Sequence, residues 1–430
     1  MAERIERYLE TAGAQVRWKR VRTALERELR THLEEQTEAY LAEGMTEDAA
    51  EAEAVRQMGD AETVGLALDA VHRPKRQTAI LLFAGLAIVL GMYLRAEWIG
   101  SSYAFALASG LLACGALLGG YYLDYRCLSR YAWYIYGAVL VLGAVCVYQT
   151  TFMGPGAPRM LGITVGGTSE YAALLYPAAY ALVVYALQGK KGGFWLSLAA
   201  VAPFALPFLW DRYVGILPQL LFAVCAAAVL LSAIRAGLFQ VKKNCARALV
   251  WALLVLAVVG IFYQDAQRYQ NFSDWYFSPA GLREWREILR EYWKNSSTAS
   301  ALLTRGTLAE ANRLGTLSGA PAWVWLAMLY VPQAVPQAVL LVMLLLRTAK
   351  LQNPLGRMLC IPTGMILSMQ LTLGLLYQTG IFPLSAPLPF ISGNLYTVMD
   401  AALLGLALST LRQSACPESE LCRARPDPAV

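Results

Sequence analysis

Two carboxylates fall where a membrane-spanning chain tolerates them least. Glu170 and Asp400 lie within or at the edge of long apolar runs. An ionisable group at that depth is costly enough that it usually serves binding or proton movement. Gln333 and Gln337 are four residues apart, beside Pro332 and Pro336, so their amides share one face of a helix that the prolines kink. Amides so placed are expected to turn inward and hold the kinked helix against its neighbours. For Asp400 the sequence is equally compatible with a structural contact and with a functional one. Metal chemistry finds no support: the eight cysteines contain no C-x-x-C pair and the two histidines, His32 and His72, are far apart. Reduced thiols, no zinc site and no cofactor are the expectation.

The stretch PLSAPLPFISG, Pro383 to Gly393, lies between two apolar runs and carries no charge. Proline lacks an amide proton, so Pro383, Pro387 and Pro389 force irregular backbone at membrane depth or just outside it. Such backbone persists only where protein or a wet cavity satisfies its polar groups. A shaped cavity on the outer side of the membrane is therefore expected.

The elements that must position these residues are helices. A chain of 430 residues that is 57% hydrophobic and only 15% charged, with mean hydropathy +0.44, is too apolar and too long to fold around one soluble core. An all-α polytopic membrane protein is expected, with ten spans near 78–95, 102–122, 131–149, 169–188, 194–210, 214–234, 247–264, 322–346, 359–378 and 396–411. Basic residues occupy every second short loop: Arg126 and Arg130, Lys190 and Lys191, Arg235 to Arg247, then Arg347, Lys350 and Arg357. That spacing predicts cytoplasmic termini and an outer loop at 265–321. The net charge of +6 is explained by this topology, and nucleic-acid binding is not expected. A cleavable signal peptide is not expected either, because the first apolar run begins near Thr78, behind a charged segment.

That segment, residues 1–72, is expected to be a cytoplasmic helical bundle. Val21, Leu25, Leu29 and Leu33 recur at four-residue spacing on a helix that ends at Gly44, and Thr46 and the Gly59-Asp60 pair mark further starts. In the outer loop, LREWREILREYWKN, 282–295, places its aromatic and aliphatic residues on one helical face and its charges on the other. It suits a helix resting on the outer leaflet, or equally one packing on the protein's own outer ends. Residues 413–430 are expected to form a cytoplasmic tail.

The motifs resemble those of the SEDS family, the FtsW/RodA/SpoVE proteins of bacterial division, elongation and sporulation. Pro387, Leu388, Pro389, Phe390, Ile391 and Ser392 match that family's Pro-Leu-Pro-Phe-Ile-Ser-Tyr-Gly-Gly-Ser-Ser segment before its last helix, abbreviated here to Gly393-Asn394. Gly156, Ala157, Arg159, Ser169 and Glu170 resemble the family's Gly-Ala-x-Arg-Trp loop and its entry to the fourth span, with Met160, Thr168 and Ala173 departing from the pattern. Asp211 loosely resembles the aspartate of a Gln-Pro-Asp-Leu-Gly turn. The resemblance covers roughly 78–412 and implies a pocket containing Arg159, Ser169, Glu170, Asp211, Pro387, Pro389, Phe390 and Ser392. Residues 1–75 resemble instead the permease prefix domain, through the Gly-Met-Thr-Glu turn at 44–47 and the Gly-Asp turn at 59–60.

The SEDS resemblance implies a glycosyltransferase that extends peptidoglycan from lipid II. An outer-face aspartate ahead of the eighth span takes the proton from the attacking sugar hydroxyl. Here the matching stretch reads PAWVW, 321–325, and Ala322 stands at the aspartate's position. Polymerase activity is therefore uncertain, and a catalytically degenerate relative that binds lipid or partners is the favoured expectation. The alternatives are an active enzyme using another outer-loop acid, Asp265, Asp274 or Glu310, a flippase for lipid-linked precursors, and a scaffold whose prefix bundle recruits a partner. Membrane lipids, lipid II and a class B penicillin-binding protein are the partners implied, in the bacterial plasma membrane.

Overall fold

The computed structural model describes residues 3–72, 77–98, 103–148, 168–205, 216–268, 322–378, 389–390 and 394–414. Among them every regular element is a helix. The chain divides into two compact units, one of residues 1–76 with 412–430 and one of residues 77–411.

The first unit contains α1 (Glu3–Gln15), α2 (Lys19–Ala42), α3 (Glu47–Met58) and α4 (Ala61–His72). Its small core joins Ile5, Tyr8, Leu9 and Ala12 of α1 to Leu33 of α2 and Ala54 of α3. Leu25 and Leu33 are buried as their spacing predicts. Acids finish the backbone. Glu51 Oε1 accepts from the Ile5 N–H at 3.1 Å, Asp69 Oδ1 from Arg17 N–H at 2.9 Å, and Asp60 Oδ2 from Thr63 N–H at 2.9 Å. These contacts replace the hydrogen bonds that helix starts lack. Thr46 holds the extended N-cap conformation of α3, but its hydroxyl makes no capping bond, contrary to the usual role of that residue type. Arg30 clasps Glu6 through both carboxylate oxygens at 2.6 and 2.8 Å, and this hydrogen bond holds the Glu6 carboxyl below its ordinary range.

The second unit contains α5 (Thr78–Trp98), α6 (Tyr103–Tyr122), the short α7 (Tyr125–Arg130), α8 (Ala132–Tyr148), α9 (Thr168–Ala186), α10 (Gly193–Ala199), α11 (Ile216–Ala236), α12 (Lys243–Arg268), α13 (Ala322–Ala349), α14 (Pro354–Gln378) and α15 (Asn394–Arg412). Helices overlap each apolar run that the sequence marks as a span, but the run at 194–210 is broken after Ala199 and its residues 206–210 lie outside the described ones. Six are long and apolar enough to cross a membrane: α6, α11, α12, α13, α14 and α15. The other four apolar segments, in α5, α8, α9 and Gly193–Ala205, are shorter over the described residues. Large apolar side chains face outward, among them Leu107, Leu111 and Leu118 on α6 and Trp251, Val255 and Val259 on α12, as suits helices solvated by lipid.

Two cores lie within this unit. One gathers α8, α9, α10 and α11 around stacked aromatic rings, with Tyr176 packed on Tyr180, Phe204 and Phe222. The other gathers α5, α6, α13, α14 and α15 around Ile80, Leu117, Leu344, Leu367 and Leu404. Here α6 and α15 approach backbone to backbone: a Cβ on Gly405 would lie 2.4 Å from Leu117 O, and one on Gly120 would lie 2.9 Å from Ala402 O. Small residues permit such contact, which lipid-embedded helices use in place of a hydrophobic drive. The five described cysteines, Cys114, Cys127, Cys225, Cys245 and Cys360, are unpaired.

Candidate functional site

The two prolines of α13 lie inside the helix, and each is followed by a glutamine. Gln333 and Gln337 are both buried, at 2% and 1% exposure, and one turn apart they reach different partners. Gln333 Nε2 donates to Ala87 O of α5 at 2.9 Å. Gln337 Nε2 donates to Pro389 O at 2.8 Å. Pro389 and Phe390 form a turn set deep in the second core, where Phe390 is 2% exposed. One amide thus closes the neighbouring helix and the other closes the proline-rich segment.

Phe390 has φ of +63°, the left-handed region that a bulky residue enters only under constraint, at a cost of about 1–3 kcal/mol. The constraint is visible. Gly91 of α5 has no side chain because a Cβ there would stand 2.3 Å from Phe390 O. The ring is anchored in the core, and Gln337 fixes the carbonyl ahead of it.

On the other side of the turn lies Asp400 of α15, fully buried. The donors that face it are the Gln370 side chain of α14 and the Phe390 backbone N–H. Neither reaches the carboxyl with the distance and angle of a formed hydrogen bond, and both Asp400 oxygens and both polar atoms of Gln370 stand without one. Gln333 Oε1 and Gln337 Oε1 are likewise unpartnered. The arrangement leaves surplus acceptor atoms packed beside the turn. Among the described residues no group of three or more His, Cys, Asp or Glu could hold a metal ion.

A second feature is apolar. A cavity of about 540 Å³ lies between α10, α11 and α12, lined by Leu198, Phe222, Leu230, Leu254 and Ile261, with Gln219 and Gln264 as its polar residues. Its wall includes a break in the tenth helix. After Ala199 the chain turns and becomes helical again over 202–205, just where Pro203 lacks an amide. Val201 N–H donates to Leu198 O at 3.1 Å, one residue short of the α-helical acceptor Ser197 O. The Tyr180 hydroxyl takes up that carbonyl at 2.8 Å. The Tyr176 hydroxyl donates to Ala200 O at 2.9 Å, and the Tyr136 hydroxyl donates to the same oxygen.

Of the residues the sequence marks, Pro389, Phe390, Gln333, Gln337 and Asp400 come together. Ser169 and Glu170 occupy the first turn of α9, Asp265 the last turn of α12, and Ala322 the first position of α13; their side chains are outside the description. Arg159, Asp211, Asp274, Glu310, Pro387, Ser392 and the 282–295 segment lie outside the described residues. Gln370 was not marked, since a lone amide in an apolar run has no spacing partner that would single it out.

No protein-family model and no curated protein matches the chain. Among solved structures, a chain from a study of how a peptidoglycan synthase complex coordinates polymerization and crosslinking matches at a TM-score of 0.51, with 17% identity over 79% of this chain and 98% of that one. At that identity the likeness is one of fold: the helices of this protein are arranged as in a component of a peptidoglycan synthase complex.

Proposed function

We propose that this chain is a SEDS-like protein of the bacterial plasma membrane, ten-spanning with cytoplasmic termini, that serves peptidoglycan assembly in division, cell shape or sporulation. It acts by binding a lipid-linked precursor such as lipid II and a partner of the class B penicillin-binding type, without polymerising glycan itself. The observation that carries the reading is the pairing of that fold with alanine at position 322, the first residue of α13. A sugar hydroxyl attacking a lipid pyrophosphate needs a base at hand, and a methyl group provides none. The apolar cavity beside α12 supports lipid binding, because its lining suits a polyprenyl chain.

The test is purified full-length protein given labelled lipid II. Saturable binding without glycan polymer is expected. Polymer that disappears on replacing Asp265, Asp274 or Glu310 would establish an active enzyme with a displaced base. Polymer surviving all those replacements would overturn both readings, and transfer of lipid II across vesicle bilayers would make the protein a flippase.

A further inference from the structure

Helix α4 presents an apolar side outward and keeps its one mid-helix charge inside. Its buried residues are Gly65 and Asp69, with Leu68 half-buried against the Val16 and Leu25 cluster. Asp69 Oδ1 accepts from Arg17 N–H, and a Cβ on Gly65 would stand 2.4 Å from Ala12 O, so the helix is gripped too closely on this side to turn over. The opposite side carries Leu66 at 54% exposure and Val71 at 66%, with Ala67 and Ala70 exposed between them. Spaced as i, i+1, i+4 and i+5, the four make one continuous stripe. From Thr63 to Val71 the only charged residue is Asp69, which faces in. The exposed side of α2, by contrast, carries Arg27, Glu28, Glu34, Glu35 and Glu38. A single exposed leucine needs no explanation, but a helix held apolar side out does.

Chain length and charge say what covers the stripe. Helix α4 ends at His72 and α5 begins at Thr78, and the chain between them reaches about 20 Å at most. The C-terminal end of α4 therefore stays close to the bilayer surface that α5 enters. That end of the bundle is basic. Arg17, whose N–H binds Asp69 and whose side chain is 70% exposed, begins the run Arg17, Lys19, Arg20 and Arg22, which contains no acid, and the sequence after α4 adds Arg73, Lys75 and Arg76. Residues 31–55 hold eight acids and neither lysine nor arginine. They lie toward the other end, where Glu51 accepts from Ile5 N–H at the start of α1. A bundle so polarised is drawn basic end first to an anionic lipid surface, which repels its acidic end.

We propose that α4 lies on the cytoplasmic leaflet of the membrane, with Leu66, Ala67, Ala70 and Val71 among the lipids and the Arg17 end of the bundle against anionic headgroups. The inference rests on the reading of α5 as a span that follows a cytoplasmic unit. Apolar side chains of this modest size suit shallow burial at the headgroup boundary rather than a crossing. The N-terminal unit is then a surface-bound module whose hold on the bilayer strengthens with anionic lipid.

The test is photocrosslinking of the full-length protein in phosphatidylcholine nanodiscs, with radiolabelled phosphatidylcholine as tracer and with or without about a quarter of phosphatidylglycerol. The photoreactive residue benzoylphenylalanine replaces Leu66, or Glu35 on α2, or Leu86 on α5, each of them exposed, so the probes leave the packed interior intact. With phosphatidylglycerol present, the Leu66 probe should take up about tenfold more lipid label than the Glu35 probe, and the Leu86 probe at least as much as the Leu66 probe. Adding Ala67→Glu and Ala70→Glu to the Leu66 probe should lower its lipid adduct about tenfold, and omitting phosphatidylglycerol should lower it about threefold. Label at Leu86 with none above the Glu35 level at Leu66 would overturn the inference and leave the span reading standing, whereas no label at Leu86 would overturn both. A crosslinked dimer in place of the lipid adduct at Leu66 would make the stripe a contact between two copies and overturn the inference, as would a Leu66 adduct indifferent to the added glutamates.

Discussion

Two of the described turns in the membrane unit meet their backbone hydrogen-bonding needs differently. At Ala199–Val201, beside Pro203, tyrosine hydroxyls take up the freed carbonyls: Tyr180 reaches Ser197 O, and Tyr136 and Tyr176 share Ala200 O. Each hydroxyl has one proton to give and gives it to the backbone. At Pro389–Phe390 one amide, that of Gln337, bonds the turn, and the amides and carboxylate around it have more polar atoms than the turn uses. The first break is closed chemically as well as sterically. The second is sterically closed but leaves polar atoms over, and a partly satisfied polar cluster in a packed core is costly.

The contrast can be broken most severely at Gly91. Gly91→Val should collide with Phe390 O, which a Cβ would meet at 2.3 Å, and lower stability by about 3 kcal/mol. The loss is read as a fall in thermal midpoint and reduced yield of monodisperse protein. Next comes Gln337→Leu, which strands the buried Pro389 carbonyl and should cost about 2 kcal/mol. Tyr176→Phe should cost less, about 0.5–1 kcal/mol, because Tyr136 still donates to Ala200 O; the double Tyr136→Phe, Tyr176→Phe variant should lose more than the two single losses added. If the single and double losses simply add, the two hydroxyls are not redundant and the first break is less securely closed than described.

The smallest effect belongs to the N-terminal helical bundle, the other compact unit, which serves as a control. The Glu6 carboxyl is held below its ordinary value of 4.5 by the Arg30 hydrogen bond, and Asp60 below 3.8 by Thr63. A depressed carboxyl stabilises the fold above its unfolded value and loses that contribution as pH falls through the folded one. Hydrogen exchange of α1 and α4 amides in the full chain should therefore quicken only below about pH 4. Both groups are exposed, and the change should be slight.

Much of this was legible in the sequence, for definite reasons. Leu25 and Leu33 announced a buried stripe, the apolar runs announced the helices, and the four-residue spacing of Gln333 and Gln337 announced two inward amides. Asp400 stood out because acids are rare in such runs. What stayed hidden depends on contacts between distant segments. Nothing local tells Gln370 that it faces Asp400, and nothing in Phe390 foretells a left-handed backbone, which its ring disfavours. Pro383, Pro387 and Pro389 predicted irregular chain, but the partner glycine at 91 lies some three hundred residues earlier. The tyrosines that close the other break were equally silent, because a tyrosine in an apolar run reads first as bulk.

The meeting of Gly120 with Gly405 governs how this protein can vary. With two backbones in direct touch, the final helix has little clearance for sliding, since a shift of one turn would bring the side chain of Ala401 or Ser409 against the opposing carbonyls. The depth of Asp400, five residues before Gly405 on the same helix, is set with it. The glycine crossing works as a ruler that denies the last helix freedom of position.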